Sequence, residues 1–434
     1  VISSQVSELL YNFVSAISNY HPFKNYMEEE IPFTGYQRFV IGILATTLFT
    51  VMLDFMVMSP LGDIMMKSLA ISASQFGVAV SAYAFSAGIS GLLTAGFADK
   101  FDRKKLLLFF YVGFTIGTLG CALAFDFTTL VIARVVTGIF GGVIGSISMA
   151  IVADIFTLQQ RGKVMGLMQM GFGASQVFGI PFGLYIANQW GWHIPFSWIA
   201  AMAGLIAFTL FLQLKPLTEH LSLPQPKSAL SHLWNTVSQS NYRLAFLTTS
   251  LLSIGGFMMM PFGSAFAINN VKVSMAQLPL MFMVSGVASL VTMPLIGRFS
   301  DKINKFTLFS AATLVAVVVI NIYTRFSETP FWIVLVANVA MMISILSRMV
   351  PAMALNSAIP QPQDRGAFMS INASLQQIAG GVGAVFAGFV IVQNDKFSPL
   401  QHYDWLGMIT SVVMVISIYF VYRVQAVVAA KVKS

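Results

Sequence analysis

Residues 74–125 read SQFGVAVSAYAFSAGISGLLTAGFADKFDRKKLLLFFYVGFTIGTLGCALAF. No charged residue lies in 74–98 and none in 106–125, whereas Asp99, Lys100, Asp102, Arg103, Lys104 and Lys105 crowd the stretch between them. Each flank is long enough to cross a bilayer, which takes about 20 mostly apolar residues. A charge at the centre of a membrane helix costs about 2.5–3.5 kcal/mol, so the charged stretch belongs in water. The stretch therefore predicts two spanning helices joined by a polar hairpin. The runs are long and lack strict alternation, which excludes a barrel.

The pattern extends over the chain. Hydrophobic residues make up 57% and charged residues 9% of 434 residues, against about 25% charged in soluble domains. Mean hydropathy is +0.79. Spans are expected near 38–62, 74–98, 105–125, 128–155, 163–187, 193–214, 243–267, 276–299, 306–324, 330–357, 366–392 and 404–426. The expected fold is all-α and integral to the membrane, with twelve transmembrane helices in two six-helix bundles. The single cysteine, Cys121, excludes a disulfide framework and a cysteine metal site. No metal and no cofactor is expected.

The net charge of +8 does not point to nucleic acid, because the charges gather at the ends of apolar runs. With the N-terminus in the cytoplasm, eighteen of the 24 Lys and Arg fall on the cytoplasmic side. Four (Lys67, Lys272, Arg325 and Lys396) fall outside, and Arg134 and Arg348 remain within spans. That asymmetry places both termini in the cytoplasm.

The longest polar connection, 215–242, holds Pro216, Pro224 and Pro226 and reads as a cytoplasmic linker between bundles at 37–214 and 243–427, with a tail at 428–434. Residues 1–36 form an N-terminal extension in which Val6, Leu9, Leu10, Phe13, Val14 and Ile17 share one helical face. Two readings stay open for it: an interfacial helix, or a helix packed on the cytoplasmic face of the bundle.

The two bundles repeat. Phe55-Met56-Val57-Met58-Ser59-Pro60 is matched by Phe257-Met258-Met259-Met260-Pro261, Asp99-Lys100 by Asp301-Lys302, and Arg161-Gly162 by Arg365-Gly366. The spacing is nearly constant and each unit has an even number of spans. The halves are thus parallel repeats about an axis along the membrane normal, and the paired breaks at Pro60 and Pro261 point to a binding site between them.

With these features the chain resembles the major facilitator superfamily. Asp99, Lys100, Arg103 and Lys104 match its loop motif between spans 2 and 3, with Ala95 and Asp102 where the motif has glycine. Gly297 to Lys305 forms a second copy, Arg134 to Gly138 looks like its span 4 motif, and Gly179-Ile180-Pro181-Phe182-Gly183 is similar to the helix-bending motif of exporters, with Ile180 inserted. Asp54-Phe55 with Pro60, and Gly191 to Phe196, resemble motifs of efflux members. The resemblance is to bacterial arabinose-efflux-permease and drug–proton antiporters. It implies a monomer in the inner membrane that exchanges protons for a small organic substrate such as a drug or sugar. It also implies a cytoplasmic gate at Asp99, Arg103, Asp154, Asp301 and Lys305.

Deep charges are the candidates for chemistry. Asp54 is the acid well inside a span, and Arg134 lies at similar depth, so contact is expected. Desolvation favours a neutral carboxyl and a nearby cation favours the ionised one; a carboxyl balanced between the two can carry a proton, and substrate is expected to displace either partner. The alternative is a permanent ion pair tying spans 1 and 4. Arg348 either binds an anionic substrate group or reaches backbone carbonyls. Gln176, Asn338, Asn372 and Gln377 are the amides expected along a cavity otherwise walled by Met, Phe and small residues. Most of the 25 Met read as lipid-compatible filler. An uptake symporter would use the same parts. A membrane enzyme is disfavoured because the histidines lie at span ends without metal spacing or a nucleophile beside them.

Overall fold

The computed structural model describes residues 32–95, 97–222, 229–361, 364–395 and 397–433. The helix read between Val6 and Ile17 lies outside them. Residues 40–434 form one unit. Ahead of it, Thr34 and Gln37 cap each other's backbone N–H at 3.0 and 3.2 Å and open span 1.

Span 1 is Gly35–Val57, followed by a short helix Gly62–Leu69. Spans 2, 3 and 4 are Ala73–Ala95, Arg103–Ala122 and Phe127–Ile155. Span 5 is broken: Leu158–Ala174 passes through a π turn, Ser175–Gly179, into Ile180–Trp190. Span 6 is His193–Gln213, and the linker carries a helix at Ala229–Ser238. Span 7, Ser240–Met259, runs through a 3-10 turn at Met260–Phe262 into Gly263–Asn269. Spans 8 to 12 are Leu278–Lys302, Lys305–Tyr323, Phe331–Ser357, Arg365–Val390 and Tyr403–Lys433. Among the described residues, eleven helices are individually long and apolar enough to cross a membrane; the twelfth crossing is the broken span 5. The span 12 helix thus continues through most of the stretch expected as a tail.

Exposed apolar side chains such as Phe109, Ile116, Leu205, Phe208, Leu314 and Phe389 cover the outside. That surface suits lipid and would be costly in water.

The repeat reaches the atomic detail of the helix ends. Ser72 and Gln75 cap span 2 reciprocally, and a Ser274–Gln277 cap opens span 8. Asp102 caps span 3 and Asn304 caps span 9. Ala70 and Lys272, both with φ near +60°, end the corresponding turns at 54° and 65°. Arg103 donates to the Ala98 carbonyl at 3.2 Å and Lys305 to the Ser300 carbonyl at 3.3 Å. Packing follows the same rule. Span 2 lies on span 4 and span 3 on spans 4 and 6, while span 8 lies on span 10 and span 9 on spans 10 and 12. Between the halves, span 2 meets span 11 and span 8 meets span 5. The contact of spans 2 and 11 is backbone-close: a Cβ on Gly77 would sit 2.8 Å from the Ala384 carbonyl oxygen, so the residue there has to be small.

Candidate functional site

One end of the molecule carries the charged turns before spans 3 and 9 and is called the basic end below. At the opposite end the halves are joined through the two broken helices. The Ser59 hydroxyl donates to the Met260 carbonyl, and the Ser264 hydroxyl donates to the Ser59 carbonyl at 2.8 Å. Asn269 Nδ2 donates to Asp63 Oδ1 at 2.6 Å, and Lys67 Nζ donates to Asp63 Oδ2 at 2.8 Å and to Asn269 Oδ1 at 3.1 Å. Pro60 and Pro261 sit in these breaks and therefore mark the joint between halves. Asp63 is a second buried acid, 1% exposed. Sequence reading missed it because it falls one residue past the expected end of span 1, where the chain was taken to leave the membrane.

Below this joint lies a cavity of about 1260 Å³. It runs from Ser59, Pro60 and Met260 to Ala98, Arg103, Ser357 and Gly366 at the basic end. Gln176, Asn338, Arg348, Asn372 and Gln377 all line it. Asn338 accepts from Ser285 at 2.6 Å, and Asn372 accepts from Thr249, which in turn accepts from Asn356, both at 2.8 Å. Eleven of the 25 methionines line it too, among them Met56, Met260, Met341 and Met349. The other fourteen lie off this wall. Methionine is flexible and polarisable, so such a wall adapts to differently shaped ligands. Arg103 and Arg348 are the charged residues on the described lining.

Asp54 and Arg134 do meet. Arg134 Nη1 donates to Asp54 Oδ2 at 2.8 Å, Thr118 donates to Asp54 Oδ1 at 3.0 Å, and the guanidinium lies 4.6 Å from the Tyr83 ring centre. Both side chains are 0% exposed, and neither is on the cavity wall. Spans 1 to 4 thus close the pair off from the cavity in this structure, so a substrate seated in the cavity does not touch either partner. Arg134 Nε and Nη2 are buried without a partner. Orphaned donors on a buried charge are costly, so this arrangement is held in place by its surroundings. Sequence reading found the depth of the pair but not Thr118 or Tyr83, since hydroxyl side chains are scattered through every span.

Arg348 reaches hydroxyls and not carbonyls. Nε donates to Thr313 at 2.9 Å and Nη2 to Ser417 at 3.1 Å, with the Phe309 ring at 5.4 Å. At the basic end, Arg103 Nε lies 3.4 Å from Asp154 Oδ2. Asp102 accepts from Lys104 N and from Leu217 N at 2.9 and 3.0 Å, tying the linker to span 3. The side chains of Asp99 and Asp301 lie outside the described residues. Gly179, Pro181 and Gly183 fall at the π turn and the first turn after it, where Gly179 packs on Leu53 and Gly183 on Val57 of span 1.

No group of three or more His, Cys, Asp or Glu among the described residues is placed to hold a metal ion.

The sequence profile of the Major Facilitator Superfamily matches residues 44–320 and, a second time, 245–434. An uncharacterized MFS-type transporter of Bacillus subtilis is 22% identical over 380 residues, which are 87% of this chain and 94% of that protein. A probable sugar efflux transporter of Pasteurella multocida is 24% identical over 359 residues, 81% of this chain and 82% of that one. A solved bacterial homolog of the human lysosomal transporter Spinster, inward-facing and unoccupied, superposes with a TM-score of 0.74 at 16% identity, covering 92% of this chain and 99% of its own.

Proposed function

We propose that this chain, which belongs to the Major Facilitator Superfamily, is a proton-coupled exporter of small organic molecules that works by alternating access. The observation that carries the reading is the cavity between pseudo-symmetric halves, joined at one end through Ser59, Met260 and Ser264 and reaching the basic end at the other. The excess of Lys and Arg identifies the basic end as cytoplasmic, so the cavity as seen receives substrate from inside. Rocking the halves about the cavity would part the Ser59 joint and close the basic end around Arg103 and Asp154, with Asp99, Asp301 and Lys305 beside them. Relatives named for sugar efflux favour export, and the apolar, methionine-rich wall favours lipophilic substrates over sugars.

Asp54 is the proton carrier in this reading. It acts through the helix and not by touching substrate, because it lies five residues before Ser59 on the segment that forms the joint. Protonation removes the charge that holds Arg134 and loosens span 1 against spans 3 and 4.

The reading is tested with a Ser59→Cys/Ser264→Cys variant in sealed proteoliposomes, bridged by a short thiol reagent. Bridging stops transport of a dye or sugar probe and leaves binding from the basic end intact. Unchanged transport after complete bridging would mean that the joint does not open.

A further inference from the structure

The chain carries two deep arginines, and their circumstances differ. Arg134 is neutralised by Asp54 and sealed away from the cavity. Arg348 is 4% exposed, lies on the cavity wall, and pairs with no carboxylate among the described residues. Thr313, Ser417 and the Phe309 ring fix its guanidinium in place. They are uncharged, so they orient the cation without neutralising it. Nη1 is left with no hydrogen bond, and it is not among the atoms closed off from solvent, as the orphaned nitrogens of Arg134 are. A buried unpaired cation is costly, and a ligand that supplies the missing negative charge recovers that cost on binding.

We propose that the cavity takes organic monoanions with a bulky apolar body, the anionic oxygen accepting a hydrogen bond from Arg348 Nη1. The proposal rests on the reading of the cavity as the transport path and adds the charge class of its cargo. One unpaired guanidinium charge, with both N–H groups of Nη1 unused and no second deep unpaired cation among the described residues, matches a single negative charge. A phosphate ester dianion or a dicarboxylate would leave a second negative charge that no other unpaired cation on the described wall could neutralise. The body is matched by Met341, Ile345, Met349 and Met353, which share the cavity-facing side of span 10 with Arg348. No described acid lines the wall, so a cationic ligand finds repulsion from Arg348 and nothing opposing it.

The test uses three probes with one aromatic body and three charges: 2-naphthoate, 2-naphthamide and 2-naphthylmethylammonium. Binding to the purified full chain is measured by equilibrium dialysis. The wild type binds naphthoate at least roughly tenfold more tightly than the amide, as a charge-assisted hydrogen bond provides, and binds the ammonium most weakly. Arg348→Gln brings naphthoate and amide within about threefold of each other, chiefly by weakening naphthoate, and Arg348→Lys keeps part of the preference. The wild-type series alone is decisive if a variant fails to fold. Equal binding of all three probes overturns the anion assignment and leaves the transport reading standing. Binding of none also overturns it, and the bridging experiment at Ser59 and Ser264 then decides the transport reading separately. A naphthoate preference that survives in Arg348→Gln shows that another group carries it and overturns the assignment to Arg348.

Discussion

Asn269 donates a 2.6 Å hydrogen bond to Asp63 across the two halves, and the residue at the equivalent place in the first half, Lys67, binds the same carboxylate. Equivalent positions of an internal repeat thus converge on one buried acid at the end opposite the basic turns. Asp63 gains a cation within its own helix and an amide from the other half, so the joint between the halves is a charge-assisted one.

Removing the amide weakens that joint. A hydrogen bond to a charged group contributes about 1.5–3 kcal/mol, enough to change an open-to-closed ratio roughly tenfold or more. Asn269→Ala should therefore enrich the state in which this end is parted. Spin labels at Ala70 and Ala276 report it as a longer distance population. A distribution identical to that of the wild type would show that the Asp63 contact does not hold the end closed.

The sealed pair predicts an asymmetry in stability. Taking away one member of a buried ion pair costs about 3–5 kcal/mol because the other charge is stranded. Arg134→Met strands Asp54. The double variant Asp54→Asn/Arg134→Met strands nothing and should melt closer to the wild type than Arg134→Met does. Thermal unfolding in detergent measures this, and a double variant less stable than both singles would contradict it.

Asp102 predicts a behaviour of the linker. Its carboxylate caps span 3 and holds the Leu217 N–H at 3.0 Å. Asp102→Ala loses a cap worth about 1 kcal/mol and releases the start of the linker. A glutamate-specific protease should cut after Glu219, two residues past Leu217, several-fold faster in the variant. An unchanged rate would assign the anchoring to other contacts.

At the start of span 4, Asp126 accepts from Thr129 Oγ1 and from the Thr129 N–H, both at 2.7 Å. These bonds, the side-chain one first, hold its carboxyl below the usual range. A depressed value in the folded state means that the cap stabilises above the unfolded carboxyl's range and is lost as pH falls through the lower folded value. The capped first turn should therefore persist into mild acid, and Asp126→Ala should remove the acid-dependent part of its fraying. Infrared-detected unfolding of the two proteins between pH 5 and pH 3, values set about the usual carboxylate range, should diverge at the upper end and converge at the lower. Parallel curves would remove Asp126 as a contributor.

Crossing number, repeat and deep charges were legible because each rests on position along a helix. Hydropathy reports how deep Asp54 and Arg134 lie, and equal depth was enough to pair them. It does not report which way a side chain points around its helix. The separation of that pair from the cavity, and the presence of Arg348 on its wall, were therefore illegible. Asp63 was illegible for a related reason: the chain breaks at Ser59-Pro60 and then forms another buried helix, and composition alone reads that break as an exit into water. The π turn before Pro181 left a faint trace in Gly179 and Gly183, while Asp102 looked only like a departure from a glycine motif until its cap and its hold on Leu217 were seen.

The central claim is that Asp54 couples proton movement to the rocking of the halves. Asp54→Asn separates coupling from binding, since it keeps the shape and removes the titrating group. Uphill export of the probe from proteoliposomes under an imposed pH gradient, measured beside probe-for-probe exchange without a gradient, tests it directly. The account predicts that the variant loses uphill export and retains exchange, which needs no net proton movement. Uphill export at the wild-type rate by Asp54→Asn would contradict it and leave the Asp54–Arg134 pair as a structural tie.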